Sequence, residues 1–415
     1  MQMYRNATVV CALLVVLAVL GAGFQKSAPG LTPVEELGKK LFFDSDLSDP
    51  PGQSCAACHD PKTGWTGTPG NPVGIYEGAR KGRFGNRRPP SAAYAGTVPV
   101  LHQNKTEGEF IGGMFWDGRA TGAQWRDPLA EQAGGPFLNP LEQNLPDRKA
   151  VISKVRQAAY AADFAKVWGL NPGDWDKEID RIYENICRSI AAFERSAEAN
   201  PFDSKFDAFW RAARAKGVDP ADINEENGWK FIGLGLSAEE LHGLLLFVDK
   251  GRCVKCHTMN PGPKGEPPVF TDFKYDNIGI PKNPDNPFYK MGPEFNPAGG
   301  RWVDEGLGGF FRTDRAYASE VKANLGKHKA PTLRNVDLRP SPGFVKTYGH
   351  NGFFKSLEQI VHFYNVRDLG GFPPPEIAEN VNKTELGNLG LSAQEERAIV
   401  AFLKTLTDGF SPPKK

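Results

Sequence analysis

Two pentapeptides, Cys55-Ala-Ala-Cys58-His59 and Cys253-Val-Lys-Cys256-His257, constrain this chain of 415 residues more than any other feature. Both have the C-x-x-C-H pattern of covalent c-type haem attachment, in which two thiols add to the vinyl groups of one porphyrin and the adjacent imidazole reaches the iron. At this composition a chance copy turns up in about one or two chains per thousand, so two copies carry weight. A zinc site or a thioredoxin-like pair explains the cysteines but not a histidine directly after each pair.

The frame before the motifs repeats as well. Leu31–Asp44 aligns without gaps on Leu236–Asp249, with identities at Leu, Glu, Gly, Leu, Phe and Asp. Each copy opens a helix with a capping box, Thr32 with Glu35 and Ser237 with Glu240, and Pro33 stands at the first helical position of the first copy. The simplest inference is a duplicated cytochrome-c-like haem unit. The 46 glycines and 34 prolines add long irregular loops to it, densest over residues 259–302. Ile179, Ile182, Tyr183, Ile186, Ile190 and Phe193 lie at helical spacing and predict a helix over Asp174–Ala199 that closes the first unit. The domains are placed at 31–200 and 228–410, with a linker near Asn200-Pro201 or in Gly217–Asn227.

Ala7–Ala22 is continuously apolar, behind Arg5 and ahead of Lys26, so residues 1–23 read as a secretory signal peptide or an N-terminal anchor. Either places the remainder outside the cytoplasm. Cys11 leaves with that segment and four cysteines hold haem. Cys187 remains, beside an apolar stripe, as a buried thiol. With 50 basic and 49 acidic residues the chain has no electrostatic footprint for nucleic acid.

Further motifs occur in order: Phe115-Trp116-Asp117-Gly118-Arg119, Glu131-Gln132-Ala133, Asn139-Pro140-Leu141-Glu142, Ala191-Ala192-Phe193-Glu194-Arg195, Ala330-Pro331-Thr332-Leu333-Arg334-Asn335 and His350-Asn351-Gly352. With both haem motifs, they resemble the bacterial diheme cytochrome c peroxidase superfamily, MauG-like members included, over most of the chain after about residue 30. The resemblance implies an all-α fold of two cytochrome-c-like haem domains with long irregular loops, a peroxidatic N-terminal haem and a C-terminal haem that relays electrons or stores an oxidising equivalent; it places the protein in the periplasm. It implies that Glu142 is the distal carboxylate, Gln132 the amide that holds the pocket, Pro136 a pocket-lining proline and Trp116 the indole between the haems. One departure is an insertion around Thr121–Asp127, which lengthens the interval from Trp116 to Gln132.

Ser356 with Gln359 makes another capping box, opening a short helix that turns Leu357, Ile360, Val361 and Tyr364 inward and leaves His362 off the stripe. The resemblance makes Tyr364 the axial ligand of the C-terminal haem, as in MauG-like members, where peroxidases fed by small cytochromes have methionine. A phenolate donor stabilises higher iron oxidation states than a thioether does. MauG has a tryptophan two residues before the second haem motif, and Gly251 stands there instead. The family's bridging calcium meets Arg88 where an asparagine is expected, and Asn86 reaches that place only by a loop shift. No distal histidine stands in the Trp65–Gly85 loop. His102 is a candidate to close the first haem at rest, Met114 and Met291 are outside candidates for axial ligation, and His350 reads as a support behind the ligands.

The expected function is a diheme c-type peroxidase acting on hydrogen peroxide. The alternatives are a MauG-like oxidase of a protein or organic substrate, and a non-catalytic electron-transfer cytochrome. The implied cofactors are two covalently bound haem c groups. The implied partners are a small electron donor, a cytochrome c or cupredoxin, or an oxidised protein substrate; a homodimer is compatible with this picture.

Overall fold

The computed structural model describes residues 30–411, so the segment read as a signal or anchor lies outside the described residues. α1 (Pro33–Phe43) starts where Thr32 and Glu35 close a capping box, with Pro33 in the first turn where its missing N–H costs nothing. After a long irregular stretch come α2 (Pro128–Leu138), α3 (Arg148–Gln157), α4 (Ala161–Trp168), α5 (Asp174–Lys177) and α6 (Ile179–Arg195). α7 (Lys205–Ala215), α8 (Ala238–Val248), α9 (Gly306–Thr313), α10 (Leu357–Val366) and α11 (Ala393–Lys404) come after them. Sheet among the described residues is confined to the antiparallel pairs β1 (His102–Gln103) with β2 (Phe110–Ile111) and β3 (Tyr275–Asp276) with β4 (His328–Lys329). The all-α expectation holds. Among the described residues no helix is long and apolar enough to cross a membrane.

The apolar residues gather into two large cores. One is built from α1, α2, α3, α4 and α6, and the other from α7, α8, α10 and α11. α7 lies between the two linker candidates, and its Phe206, Phe209 and Trp210 belong to the second core. A smaller cluster of Leu101, Phe110, Tyr275, Leu307 and Phe311 joins β2 to α9.

The duplication runs deeper than the aligned stretch. α1 crosses α6 at Gly38, where a Cβ would stand 1.9 Å from the Ser189 carbonyl oxygen and 2.9 Å from Phe193 Cβ. Gly243, its counterpart in the repeat, brings α8 onto α11 in the same way, 1.9 Å from the Ala398 oxygen and 3.0 Å from Phe402 Cβ. Both crossings are too close for any side chain. An aromatic triad accompanies each: Phe42 with Trp65 and Phe193, and Phe247 with Phe270 and Phe402.

Two local expectations need correction. The helix expected over Asp174–Ala199 is broken at Glu178 (φ −110°, ψ 48°) into α5 and α6, and it stops at Arg195. At α10 Ser356 caps Gln359 N–H at 3.2 Å, but the Gln359 amide oxygen accepts from Lys355 N–H instead of closing the box. A complete capping box that had not been expected, Ser392 with Glu395, opens α11.

Candidate functional site: two haem cavities and their shared wall

Cys55–Ala57 and Cys253–Lys255 each form a single 3₁₀ turn, and His59 and His257 close it by donating their backbone N–H to the Cys55 and Cys253 carbonyls at 3.0 and 2.9 Å. This brings both thiols and the imidazole of each motif to the wall of one cavity. Both cavities open to solvent; the first spans about 1000 Å³ and the second about 1530 Å³. His59 Nδ1 is 3.0 Å from the Trp65 carbonyl and His257 Nδ1 is 2.9 Å from the Phe270 carbonyl. With Nδ1 held by a carbonyl, each ring keeps Nε2 for a metal. Burial lowers the pKa of both, which favours the neutral, ligating form. All four motif thiols are free of disulfides.

α2 builds another part of the first cavity. Gln132 and Pro136 stand one turn apart on it, and Leu141 and Glu142 come next, in the turn that ends it. Glu142 accepts a 3.0 Å bond from Asn139 Nδ2. Burial raises its pKa, opposed by the charge of Arg119 and the Asn139 bond. Arg119 lies 3.6 Å over the Phe115 ring and pairs with Asp117 at 2.9 Å. The inserted residues are tied to α2 by Glu131, which accepts from Gly122 and Trp125 N–H at 2.8 and 2.9 Å. The insertion thus leaves Gln132, Pro136 and Glu142 in one cavity with His59.

Trp116 and Arg88 line both cavities. The indole N–H of Trp116 donates to the Arg88 carbonyl at 2.7 Å, and Arg88 N–H donates to the His350 carbonyl at 2.8 Å. Behind them Arg87 joins the two halves of the chain, with Asp117 at 2.5 Å and Asp304 at 2.6 Å. Asp304, His328 and His350 converge there. The two imidazoles are stacked, centroids 3.6 Å apart and planes 7° apart, so an ion in the plane of one sits well off the plane of the other. That stack is poorly shaped for a metal and suits the supporting role expected of His350.

The second cavity takes Leu357, Ile360, Val361 and Tyr364 from α10, with Cys253, Cys256 and His257. Tyr364 hydroxyl makes no hydrogen bond to the described residues, and burial raises its pKa. His362 is exposed and pairs with Glu396 at 3.0 Å. Gly251 is packed against the end of α8, where a Cβ would lie 2.7 Å from the Leu246 carbonyl oxygen. Lys346 reaches the same cavity, fully desolvated and bonded only to the carbonyls of Thr63, Asn335 and Leu338.

Three expected candidates fall outside both walls. His102 is exposed on β1, with Nδ1 on the Val100 carbonyl at 2.8 Å. Met114 is buried against Lys329, and Met291 accepts from Phe84 N–H. None of the three lines a cavity.

A family model for di-haem cytochrome c peroxidase matches residues 33–215. The methylamine utilization protein MauG of Paracoccus denitrificans is 34% identical over 419 residues, covering 96% of this chain and 95% of that protein. The chain belongs to the di-haem cytochrome c peroxidase family. Cytochrome c551 peroxidase of Nitrosomonas europaea is 29% identical over 379 residues, covering 91% and 81% of the two chains. The crystal structure of the diheme peroxidase BthA from Burkholderia thailandensis matches the fold with a TM-score of 0.70 at 27% identity, covering 92% and 90%.

This member of the family is an oxidoreductase whose cofactors are two haem c groups, and its residues fit them. Each cavity has two free thiols and one imidazole with Nε2 available, and Arg88, which forms no ion pair among the described residues, lines both. The bridging calcium does not fit. Calcium wants a cage of oxygen ligands, and the shared wall presents the like charge of Arg88. Asn86 has its carbonyl bonded to Asn286 Nδ2 at 2.9 Å. Arg119, Glu194 and Lys346 were missed as lining residues; only their motif neighbours hinted at them.

Proposed function

We propose that this di-haem enzyme reduces hydrogen peroxide at the cavity of Cys55, Cys58 and His59, in the unit spanning 31–200. Cys253, Cys256 and His257, in the unit spanning 228–410, would hold the second haem, which would supply that cavity with electrons. Haem, when bound, supplies the redox-active iron at which the O–O bond is cleaved. The overall balance is one peroxide, two electrons and two protons to two waters. The observation that carries this reading is the meeting of Glu142, Gln132 and Pro136 in one cavity with His59. In this assignment Glu142 takes a proton from one peroxide oxygen and returns it to the other, as a general acid–base within hydrogen-bond reach. Gln132 orients the peroxide, and Trp116 fills the wall through which electrons cross.

Tyr364 would supply the second haem with an oxygen ligand, a reading supported by its hydroxyl having no hydrogen-bond partner among the described residues of that cavity. This favours a second reading in which a partner protein or organic molecule is the one oxidised. The packing at Gly251 weighs against a tryptophan route at that position. The physiological partner is assigned as a small cytochrome c or cupredoxin, and the site of action as the periplasm. The deciding experiment mixes fully reduced enzyme with stoichiometric peroxide in a stopped-flow spectrometer. Rapid oxidation of both haems is expected; two haems inert to peroxide would leave only electron transfer.

A further inference from the structure

Arg88 has a buried positive charge with no protein anion to balance it. No carboxylate of the described residues forms an ion pair with it, whereas its neighbour Arg87 is held by both Asp117 and Asp304. Burial pushes the Arg88 guanidinium down to about 10, and only the phenols of Tyr348 and Tyr76 pull the other way. Its direction is set by the backbone. The N–H is bonded to the His350 carbonyl, the carbonyl is bonded to the Trp116 indole, and the adjoining Pro89-Pro90 pair stiffens the chain on its C-terminal side. The side chain therefore enters the wall common to both haem cavities.

An unpaired buried cation costs several kcal/mol, so a fold that keeps one must receive an anion there. Haem brings its own anions, the propionate carboxylates, and a planar guanidinium can hold two of them through separate edges. We propose that Arg88 is the shared counter-ion of propionates from both haems, a cation built into the chain where a bridging metal ion would otherwise stand. This rests on the two-haem assignment and not on the reaction with peroxide. The bridge cannot be chelated, and its charge acts on both irons at once.

The test uses the mature diheme protein and reads potentials and vibrations, not turnover. In wild type, EGTA should leave both midpoint potentials and both visible spectra unchanged, and calorimetric titration with calcium should show no site in the wall. Arg88→Gln should lower both midpoint potentials, because removing a positive charge favours the ferric state of each haem. Arg88→Lys keeps the charge and loses the fork, so both potentials should hold while the propionate-bending Raman bands of both haems shift. A chelator effect on wild type, or Arg88→Gln with both potentials unmoved, would overturn the proposal. If Arg88→Gln does not mature, unshifted propionate bands in Arg88→Lys would do the same.

Discussion

The Trp116 indole N–H donates to the Arg88 carbonyl at 2.7 Å, which ties the tryptophan into the wall between the two haem cavities. An aromatic ring held this way offers a rigid path for electrons. Trp116→Phe keeps a ring but leaves a buried carbonyl without its donor, at a cost of about 1–3 kcal/mol. Interhaem electron transfer in the half-reduced enzyme, tracked by stopped-flow absorbance, should slow by about tenfold, the equivalent of about 1.4 kcal/mol in the barrier. An unchanged rate would mean that the ring only packs.

Glu142 is the group proposed to move the peroxide proton. Glu142→Gln keeps size and the Asn139 neighbour but cannot take up a proton, so the bimolecular rate with peroxide should fall by about 10²–10⁴. The haem spectra before peroxide should stay as in wild type. The carboxylate form is the working one, and burial raises its pKa against the pull of Arg119. The rate should therefore decline with falling pH already above the ordinary carboxylate range. Arg119→Gln should move that acid limb further up, since it removes the opposing charge.

Tyr364→Met replaces the oxygen donor assigned to the second haem with a thioether. A softer, neutral ligand favours the ferrous state, so the midpoint potential of the second haem should rise. The first haem, in the other cavity, should keep its own. Spectroelectrochemistry separates the two, and a second haem with unaltered potential and spectrum would remove Tyr364 as its ligand.

How much of the molecule was legible in the chain depends on how local each feature is. The attachment motifs, the capping boxes at Thr32 and Ser237 and the inward face of α10 are set by spacings of two to four residues, and all were readable. The rest of the repeat was not. His59 is held by a carbonyl 6 residues on and His257 by one 13 residues on, from Trp65 and Phe270, so neither spacing nor residue type matches in the chain. Only the fold shows that both partners sit at positive φ and complete the same aromatic triad. Glu142 was visible through its resemblance alone. The isolation of Arg88 depends on which carboxylates stay away, and no local pattern encodes that.

Gly38 and Gly243 are the sites where the two helix crossings are closest. Alanine at either position meets a carbonyl oxygen of the facing helix, so α1 must leave α6, or α8 must leave α11. Each substitution should cost about 1–3 kcal/mol or more, as overpacking does, despite the better helix propensity of alanine. Equal losses in denaturant melts would support the duplicated architecture. A neutral or stabilising outcome at either position would contradict the close approach.

Glu194, on the last turn of α6, faces the first cavity with one carboxylate oxygen unpartnered. Its pKa is pushed up to about 8, first by burial and then by Asp127, with Arg195 opposing. In the unfolded chain a glutamate titrates near ~4.3. Between those values the folded protein holds a proton that the unfolded chain has released, so this contribution to stability is fully present below about 4.3 and fades as pH rises to about 8. Glu194→Gln has no such proton to lose. Relative to the variant, wild type should lose on the order of 2–4 kcal/mol between pH 5 and pH 8.5 in urea melts of the diheme protein. A difference that stays flat across that range would show that the Glu194 carboxyl is ionised throughout in the diheme protein.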